Sequence, residues 1–235
     1  MQLTDAEHAK LLNFLGYGSL DAPFWFMGME EGIGGNDNVE PNIRARLGFE
    51  SAVMDLHSAH DEQHLNWNIC QHRNDYPLCW IVMAKIVRAM QGYTDWQSVE
   101  RAKDYVCERL GHSDGETFLP DLMPLPKPSA GHWGELYQTW YPNLKTYYAT
   151  VLPQRQQLFR QLLERHRPRH LVCYGRGNYS HYKELINADG WQTLPETKIE
   201  VTRWHDTTIA LTPFFGNGAI SRKDIDILVA YLKAN

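Results

Sequence analysis

Two adjacent carboxylates lie in a glycine-rich segment that directly follows an apolar run. Residues 23–35 read PFWFMGMEEGIGG, in which Glu30 and Glu31 are the only charged residues. Neighbouring carboxylates can orient a water molecule or stabilise a developing positive charge, and their repulsion raises one of the two pKa values. Gly28 and Gly32 let the backbone approach a ligand closely. The segment indicates acid–base chemistry, unless either carboxylate only caps the next turn or pairs with a basic residue.

Two further segments carry polar side chains in an apolar setting. Asp121 is the only acidic residue in FLPDLMPLPKPS, where a short strand is predicted to break into a proline-rich loop. GNGAISRKDID at 216–226 precedes a predicted terminal helix. There Ser221 can cap the helix, with Asp224 as its capping-box partner and Arg222 solvated.

Other familiar site patterns fit poorly. GMEEGIGG lacks the GxGxxG spacing and the GKS/T ending of phosphate-binding loops, and two acidic groups repel phosphate. No nucleophile elbow anchors a Ser–His–Asp triad. The histidines of residues 57–72 have a helical spacing that could bind metal, but solvated surface histidines are the favoured interpretation. We therefore expect no metal.

Three units of strand, turn and helix are predicted to position these residues. They begin at FWFMGMEEG, LVCYGRGN and IALTPFFGNGAISR. Such alternation predicts a three-layer α/β/α sandwich with a central, mostly parallel sheet of four or five strands. Ligands bind beyond the carboxyl ends of such strands, so the three turns should share one rim.

The remaining helices follow from apolar periodicity. Helices are predicted over 5–15, 77–91, 96–111 and 153–166, with helical spacing also over 43–59. The basic cluster RHRPRH at 165–170 is interpreted as a helix end that complements the helix dipole, in preference to a DNA contact.

Composition limits the class of protein. The 235 residues fit a single domain over 1–235. A net charge of −5 gives no overall attraction to nucleic acid or to an anionic membrane, so any nucleic-acid surface must be local. The four cysteines form no close CxxC pair and are expected to be reduced. Without a leader or a membrane-length apolar run, we expect a cytoplasmic protein with no membrane partner.

The order of the motifs resembles the uracil-DNA glycosylase superfamily. FMGMEEG is similar to that family's water-activating G-M-N-P-G motif, with Glu30 at the Asp/Asn position and Glu31 in place of proline. Asp121 lies near the position of a base-reading Asn. Residues 174–178, YGRGN, resemble the family's strand that ends in glycine before a helix, and residues 215–222, FGNGAISR, resemble the last motif, N-P-S-G-L-S-R.

The resemblance implies base excision in DNA repair, which is cleavage of the N-glycosidic bond of a flipped-out nucleotide. Glu30 would position water, Ile220 would fill the vacated stack, and Ser221 and Arg222 would grip phosphates. The helix amides would favour the same phosphates. The implied substrate-binding residues are Gly28, Met29, Gly32, Asp121 and Phe215, and an aromatic ring, Phe49 or Trp67, would stack on the base.

Departures from the family leave alternatives open. Phe215 lies where the family has the His or Asn that stabilises the departing base, and Phe cannot donate a hydrogen bond. Asn217 takes over that catalytic role only if the loop is reshaped. No cysteine precedes Cys70, so no iron–sulfur cluster or other cofactor is expected. The leading hypothesis is a DNA glycosylase for uracil or a damaged base; the rivals are a non-catalytic binder of nucleic acid or modified nucleotides and a nucleoside hydrolase that uses the Glu30/Glu31 pair.

Overall fold

The computed structural model describes residues 1–33 and 38–235, and the strands in these ranges form one mixed sheet. The strands are β1 (Gly16–Gly18), β2 (Phe24–Met27), β3 (Val53–Met54), β4 (Thr117–Pro120), β5 (His170–Tyr174), β6 (Gln192–Thr193), β7 (Glu200–Trp204) and β8 (Thr207–Thr212). Their order across the sheet is β3-β1-β4-β2-β5-β8-β7-β6. The described chain is therefore an α/β protein, as the sequence predicts.

Four parallel strands form the middle of the sheet. Strands β4, β2, β5 and β8 are neighbours and all run in the same direction. All four residues of β2 and all six of β8 are buried, as expected for parallel strands covered on both faces. Antiparallel pairing of β1 with β4 and of β7 with β8 extends this core at both sides. The predicted number of four or five strands is wrong, because the described sheet has eight.

The helices in the described ranges mostly match the apolar periodicity. They are α1 (Asp5–Asn13), α2 (Glu40–Gly48), α3 (Leu56–Ala59), α4 (Leu78–Met90), α5 (Val99–Glu108), α6 (Leu144–His166), α7 (Tyr179–Ile186) and α8 (Arg222–Ala234), with 3-10 turns at Ile69–His72, Glu135–Tyr137 and Arg176–Asn178. Helix α6 begins nine residues before its predicted start and contains Pro153. The helical spacing over 43–59 is divided between α2 and α3, with β3 between them.

Helices cover both faces of the sheet. On one face, Phe26 of β2 packs in a core with residues of α4, α5 and α8. On the other face, Trp25 and Met27 pack with residues of α6 and α7. Successive residues of β2 thus enter opposite cores, because strand side chains alternate between faces. Among the helices of the described ranges, none is both long and apolar enough to cross a membrane.

The expected reduced state is wrong for two of the four cysteines. Cys70 and Cys107 form a disulfide with their Cα atoms 4.9 Å apart. This bond joins the 3-10 turn at Ile69–His72 to α5. Cys79 and Cys173 are free thiols.

Candidate active site

The loops that follow β2 and β4 lie side by side beyond the carboxyl ends of these two strands. Gly28 pairs with Asp121 and Gly32 pairs with Lys127, each as a parallel bridge. The Gly28 amide donates to the Pro120 carbonyl at 2.9 Å, and the Lys127 amide donates to the Glu31 carbonyl at 3.0 Å. Because β2 and β4 are parallel, both loops leave from their carboxyl ends. The turns after β2, β5 and β8, which the sequence placed at one rim, also follow parallel neighbouring strands. The structure adds the Asp121 segment to this rim, a segment that only the family resemblance associated with the site.

Glu31 is held by two donors from other elements. Its carboxylate forms an ion pair with Arg46 of α2 and accepts a hydrogen bond of 3.0 Å from the Tyr17 hydroxyl. The Arg46 guanidinium also donates to the Pro124 carbonyl and lies 4.5 Å from the centre of the Phe14 ring. Since the Arg46 side chain is only 2% exposed, Glu31 balances a buried positive charge.

Glu30 is held in a similar way by a different pair of donors. The Lys127 ammonium lies 2.8 Å from Glu30 Oε1, and the Tyr148 hydroxyl donates to the same oxygen. Only 8% of the Glu30 side chain and 1% of the Lys127 side chain are exposed. The sequence left open that these carboxylates pair with basic residues, and the structure shows this pairing for both. It is compatible with an electrostatic role and leaves Glu30 little contact with solvent.

Asp121 differs from the two glutamates because its carboxyl group has no hydrogen-bond or ion-pair partner among the described residues, and the residue is partly exposed. Burial and, to a smaller extent, the nearby charges of Glu31 and Glu30 together raise the pKa of Asp121 to about 7, against the opposing effect of Arg46. The backbone around it is fixed, since Arg155 donates to the Asp121 carbonyl at 2.9 Å and to the Leu122 carbonyl at 3.0 Å. Asp121 can therefore exchange a proton near neutral pH.

Tyr174 completes this site, although the sequence did not single it out. A Cβ atom added to Gly28 would overlap the Asp121 carboxylate and lie 2.6 Å from the Tyr174 hydroxyl. The Tyr174 ring stacks on Phe215 with centroids 5.0 Å apart and an interplanar angle of 18°. Its place at the carboxyl end of β5, directly before the glycine turn, was the available signal. Gly28, Asp121 and Tyr174 thus meet at one point of the rim.

Several predicted substrate-binding residues have other surroundings. Met29 is only 6% exposed and packs in the second core, so its side chain does not face the rim. Phe49 is 1% exposed in the first core, and the Trp67 ring stacks on His72. In this conformation Met29 and Phe49 have little exposed surface to offer a ligand, whereas Trp67 is half-buried. The ligand contacts of these three side chains stay predictions.

The loop after β8 contains the remaining predicted residues. Phe215 is 2% exposed and turns its ring towards Tyr174. Asn217 is exposed with a left-handed φ of 54°. In the described part of the chain, no hydrogen bond connects Asn217 to the carboxylates of the rim. The predicted transfer of the donor role to Asn217 would require this loop to rearrange.

The start of α8 is a capping box. The Asp224 amide donates to the Ser221 hydroxyl at 3.1 Å, while Asp224 accepts from the Ser221 amide at 2.9 Å. The capping interpretation is therefore confirmed. A phosphate at this helix end would meet the Asp224 carboxylate, which weakens the predicted role of Ser221. Arg222 is exposed and Ile220 is half-buried.

The basic residues 165–170 connect the end of α6 to the start of β5. They therefore lie at the amino ends of the parallel strands, on the side of the sheet opposite the candidate active site. Within this cluster, the His166 ring lies 2.7 Å from Asp21. This placement favours the predicted helix-end role.

The histidines of residues 57–72 are partly buried, so their predicted solvated state is wrong. His57 stacks on His112 with centroids 4.2 Å apart, and His64 lies 2.9 Å from Asp61. His60 and His72 both contact the Trp67 ring. Within residues 1–33 and 38–235, no group of three His, Cys, Asp or Glu side chains is placed to hold a metal ion.

The structure defines an α/β protein in which three carboxylates converge beyond the carboxyl ends of parallel strands. No protein-family model and no curated protein sequence matches this chain. Its function is therefore inferred from the chemistry of this rim and from the order of the motifs along the sheet.

Proposed function

We propose that this protein is a uracil-DNA glycosylase-like hydrolase that cleaves the N-glycosidic bond of a flipped-out uracil or damaged base in DNA. Its α/β fold would then be the three-layer sandwich of that superfamily. The observation that carries the proposal is the position of the Asp121 carboxyl group, which lies against Gly28 and Tyr174 at the rim without a described ion-pair partner. Parallel strands with ligand loops at their carboxyl ends favour a site at this rim.

In this proposal the three carboxylates have different roles in hydrolysis. The Glu30 and Glu31 carboxylates supply negative charge that stabilises an oxocarbenium-like sugar. Asp121, with a pKa of about 7, accepts a proton from the water that attacks the anomeric carbon. The C–N bond breaks, and its electron pair leaves with the base. Glu30 is the sequence candidate for positioning water, and Asp121 is the carboxyl group that the geometry favours.

Tyr174 offers the hydrogen-bond donor that Phe215 lacks. Its hydroxyl lies beside Asp121 and Gly28, and its ring is oriented by stacking on Phe215. A phenol donates a hydrogen bond at neutral pH, and burial raises the pKa of Tyr174 further. In this proposal the Tyr174 hydroxyl stabilises the negative charge on the departing base, and Phe215 positions the Tyr174 ring.

Release of free base from oligonucleotides tests the proposal. Single-turnover assays would use single- and double-stranded substrates that contain uracil or a damaged base. Asp121→Asn should lower the rate by about 100-fold or more, the usual contribution of a general acid or base. The exposed Asp114→Asn variant has the same change of side chain and should retain the wild-type rate. Absence of base release from every substrate by the wild-type protein would reject the proposal.

Glu30 requires a companion variant, because Glu30→Gln alone leaves the buried Lys127 without its charge partner. The double variant Glu30→Gln/Lys127→Gln removes both charges and limits this destabilisation. If Glu30 acts electrostatically, the folded double variant loses most of its turnover. Full activity in that variant would exclude Glu30 from catalysis.

A second candidate is a non-catalytic binder of nucleic acid or modified nucleotides with the same fold. The replacement of the usual donor by Phe215, which is 2% exposed, favours it. This candidate predicts salt-sensitive binding of oligonucleotides without base release.

A further inference from the structure

A cleft separate from the candidate active site lies next to it. Its volume is about 320 Å³, and it is formed by α4, α5, residues 73–76 and the loop before α8. Phe215 and Ile220 line it on the side of the loop, and Tyr76 and Ile81 line it on the other side. Because Phe215 also stacks on Tyr174, the cleft and the candidate active site share one wall.

Exposed apolar side chains concentrate around this cleft. In the described part of the chain, five large apolar side chains are exposed, and two of them, Leu78 (59%) and Val99 (47%), line it. A third, Phe214, is the chain neighbour of Phe215. Apolar side chains clustered in this way mark a binding surface more often than scattered ones do.

The charged side chains of the cleft are cations. Of the three in its lining, Arg73 pairs with Asp104 at 2.5 Å and Lys103 lies 3.3 Å from Glu100. The third, Lys85, has no carboxylate partner within the described ranges. Burial lowers the pKa of Lys85, and the positive charge of Arg222 lowers it further.

Arg222 begins α8 two residues after Ile220, which lines the cleft, and it is exposed without an ion-pair partner among the described residues. Two neighbouring cations without a counter-charge repel each other, and an anion placed between them would remove that repulsion. The cleft therefore combines an anion-attracting corner with an apolar floor.

We propose that this cleft binds a single-stranded DNA segment that flanks the flipped-out nucleotide, with a backbone phosphate between Lys85 and Arg222 and a base against Leu78 and Ile220. The inference rests on the proposed function, because it takes DNA as the substrate. Single-stranded DNA alternates phosphates with flat apolar rings, which matches the two components of the surface. An acidic peptide would supply the charge without the rings.

Fluorescence anisotropy with a labelled, unmodified 12-nucleotide oligothymidylate at several salt concentrations tests this inference. Lys85→Gln/Arg222→Gln should weaken binding about tenfold and reduce the salt slope by about 0.7, the contribution of the one phosphate contact that the double variant removes from a single strand. Lys233→Gln is the matched control, because this exposed residue lies in the last turn of α8, about 16 Å along the helix from Arg222. The inference is overturned if the double variant and the control bind alike.

Two further measurements separate the components of the surface. Leu78→Ser should weaken binding without a change in salt slope, because it removes only apolar contact. A polyglutamate peptide should displace the oligonucleotide poorly; equal displacement would overturn the preference for nucleic acid. If the variant that contains Lys85→Gln fails to fold, Arg222→Gln alone provides the test, because Arg222 is exposed and its replacement should still weaken binding relative to the control.

The outcomes also distinguish this inference from the proposed function. The probe contains no excisable base, so binding is measured without chemistry. Binding that depends on Lys85 and Arg222 without base release from any substrate supports the cleft and rejects the hydrolase. Base release by a wild-type protein whose binding is insensitive to both substitutions rejects the cleft alone.

Discussion

Arg46 and Glu31 form an ion pair that is almost closed to solvent, with 2% and 16% of their side chains exposed. Arg46 comes from α2, and Glu31 lies in the loop after β2. The same guanidinium donates to the Pro124 carbonyl in the loop after β4. One buried cation therefore connects three separate segments and fixes the two loops that form the candidate active site.

Replacement of Arg46 should strongly destabilise the fold. Arg46→Ala leaves the Glu31 carboxylate without its charge partner in a poorly solvated position, which costs about 3–5 kcal/mol for a buried pair. Urea denaturation measures the change in the free energy of unfolding. Arg44→Ala is the control, since Arg44 is 66% exposed and pairs with Glu40 one helical turn away. Such surface pairs contribute about 0.5 kcal/mol. Equal effects of the two substitutions would contradict the structural role of Arg46.

Asp121 should make the protein less stable as the pH rises towards neutrality. Its pKa is about 7 in the folded protein and 3.8 in the absence of folding effects, so between these values the folded state binds more protons than the unfolded state. The associated stability is fully present below pH 3.8 and is lost as the pH rises through 7. Asp121→Asn cannot ionise and should remove this dependence.

The measurement is the free energy of unfolding of Asp121→Asn relative to wild type from pH 4 to 8. At pH 8 the Asp121→Asn variant should be more stable than wild type by about 1–2 kcal/mol. This is less than the free energy that corresponds to the whole pKa difference, because Asp121 is partly exposed to solvent. Asp114→Asn, at an exposed position, should show no such trend. A constant difference between Asp121→Asn and wild type across this range would argue against a raised pKa.

The central strands were predictable because each is a short apolar run that ends at a glycine or proline. Phe24–Met27 and Thr207–Thr212 are buried along their whole length, which gives a strong local signal. The edge strands were not predictable. Gln192–Thr193 has only two residues, both exposed, and two residues are too few for a periodic pattern. Its pairing with Glu200–Trp204 is a tertiary effect.

The position of the site was predictable, whereas its contacts were not. The alternation of strands and helices places the Glu30 segment and the turns after β5 and β8 at one rim, because parallel strands end on the same side of the sheet. No local pattern links Glu31 to Arg46, or Glu30 to Tyr148, which is 118 residues away along the chain. The pKa of Asp121 depends on burial and on these neighbouring charges, so it emerges only in the folded chain.

The disulfide predicts a specific thiol count. Denatured without reductant, the protein should contain two reactive thiols, Cys79 and Cys173, and four after reduction. Reduction should also lower the free energy of unfolding by about 3–4 kcal/mol, because the bond closes a loop of 37 residues in the unfolded chain. A thiol titration and urea denaturation with and without reductant provide the two measurements. Four reactive thiols before reduction would show that Cys70 and Cys107 are not bonded.

Gly28 and Gly32 belong to the same glycine-rich segment, but only Gly28 should require glycine. A Cβ at Gly28 would overlap the Asp121 carboxylate and would lie too close to the Tyr174 hydroxyl. Neither group can move away easily, because Arg155 holds the Asp121 backbone and the Tyr174 ring stacks on Phe215. Gly28→Ala should therefore destabilise the protein by about 1–3 kcal/mol, as overpacking does. A Cβ at Gly32 would meet no atom within 4 Å, so Gly32→Ala should be close to neutral in urea denaturation. Because both substitutions add one methyl group to the same loop, equal stabilities would show that Asp121 and Tyr174 do not pack against Gly28, and the geometry proposed for the site would be wrong.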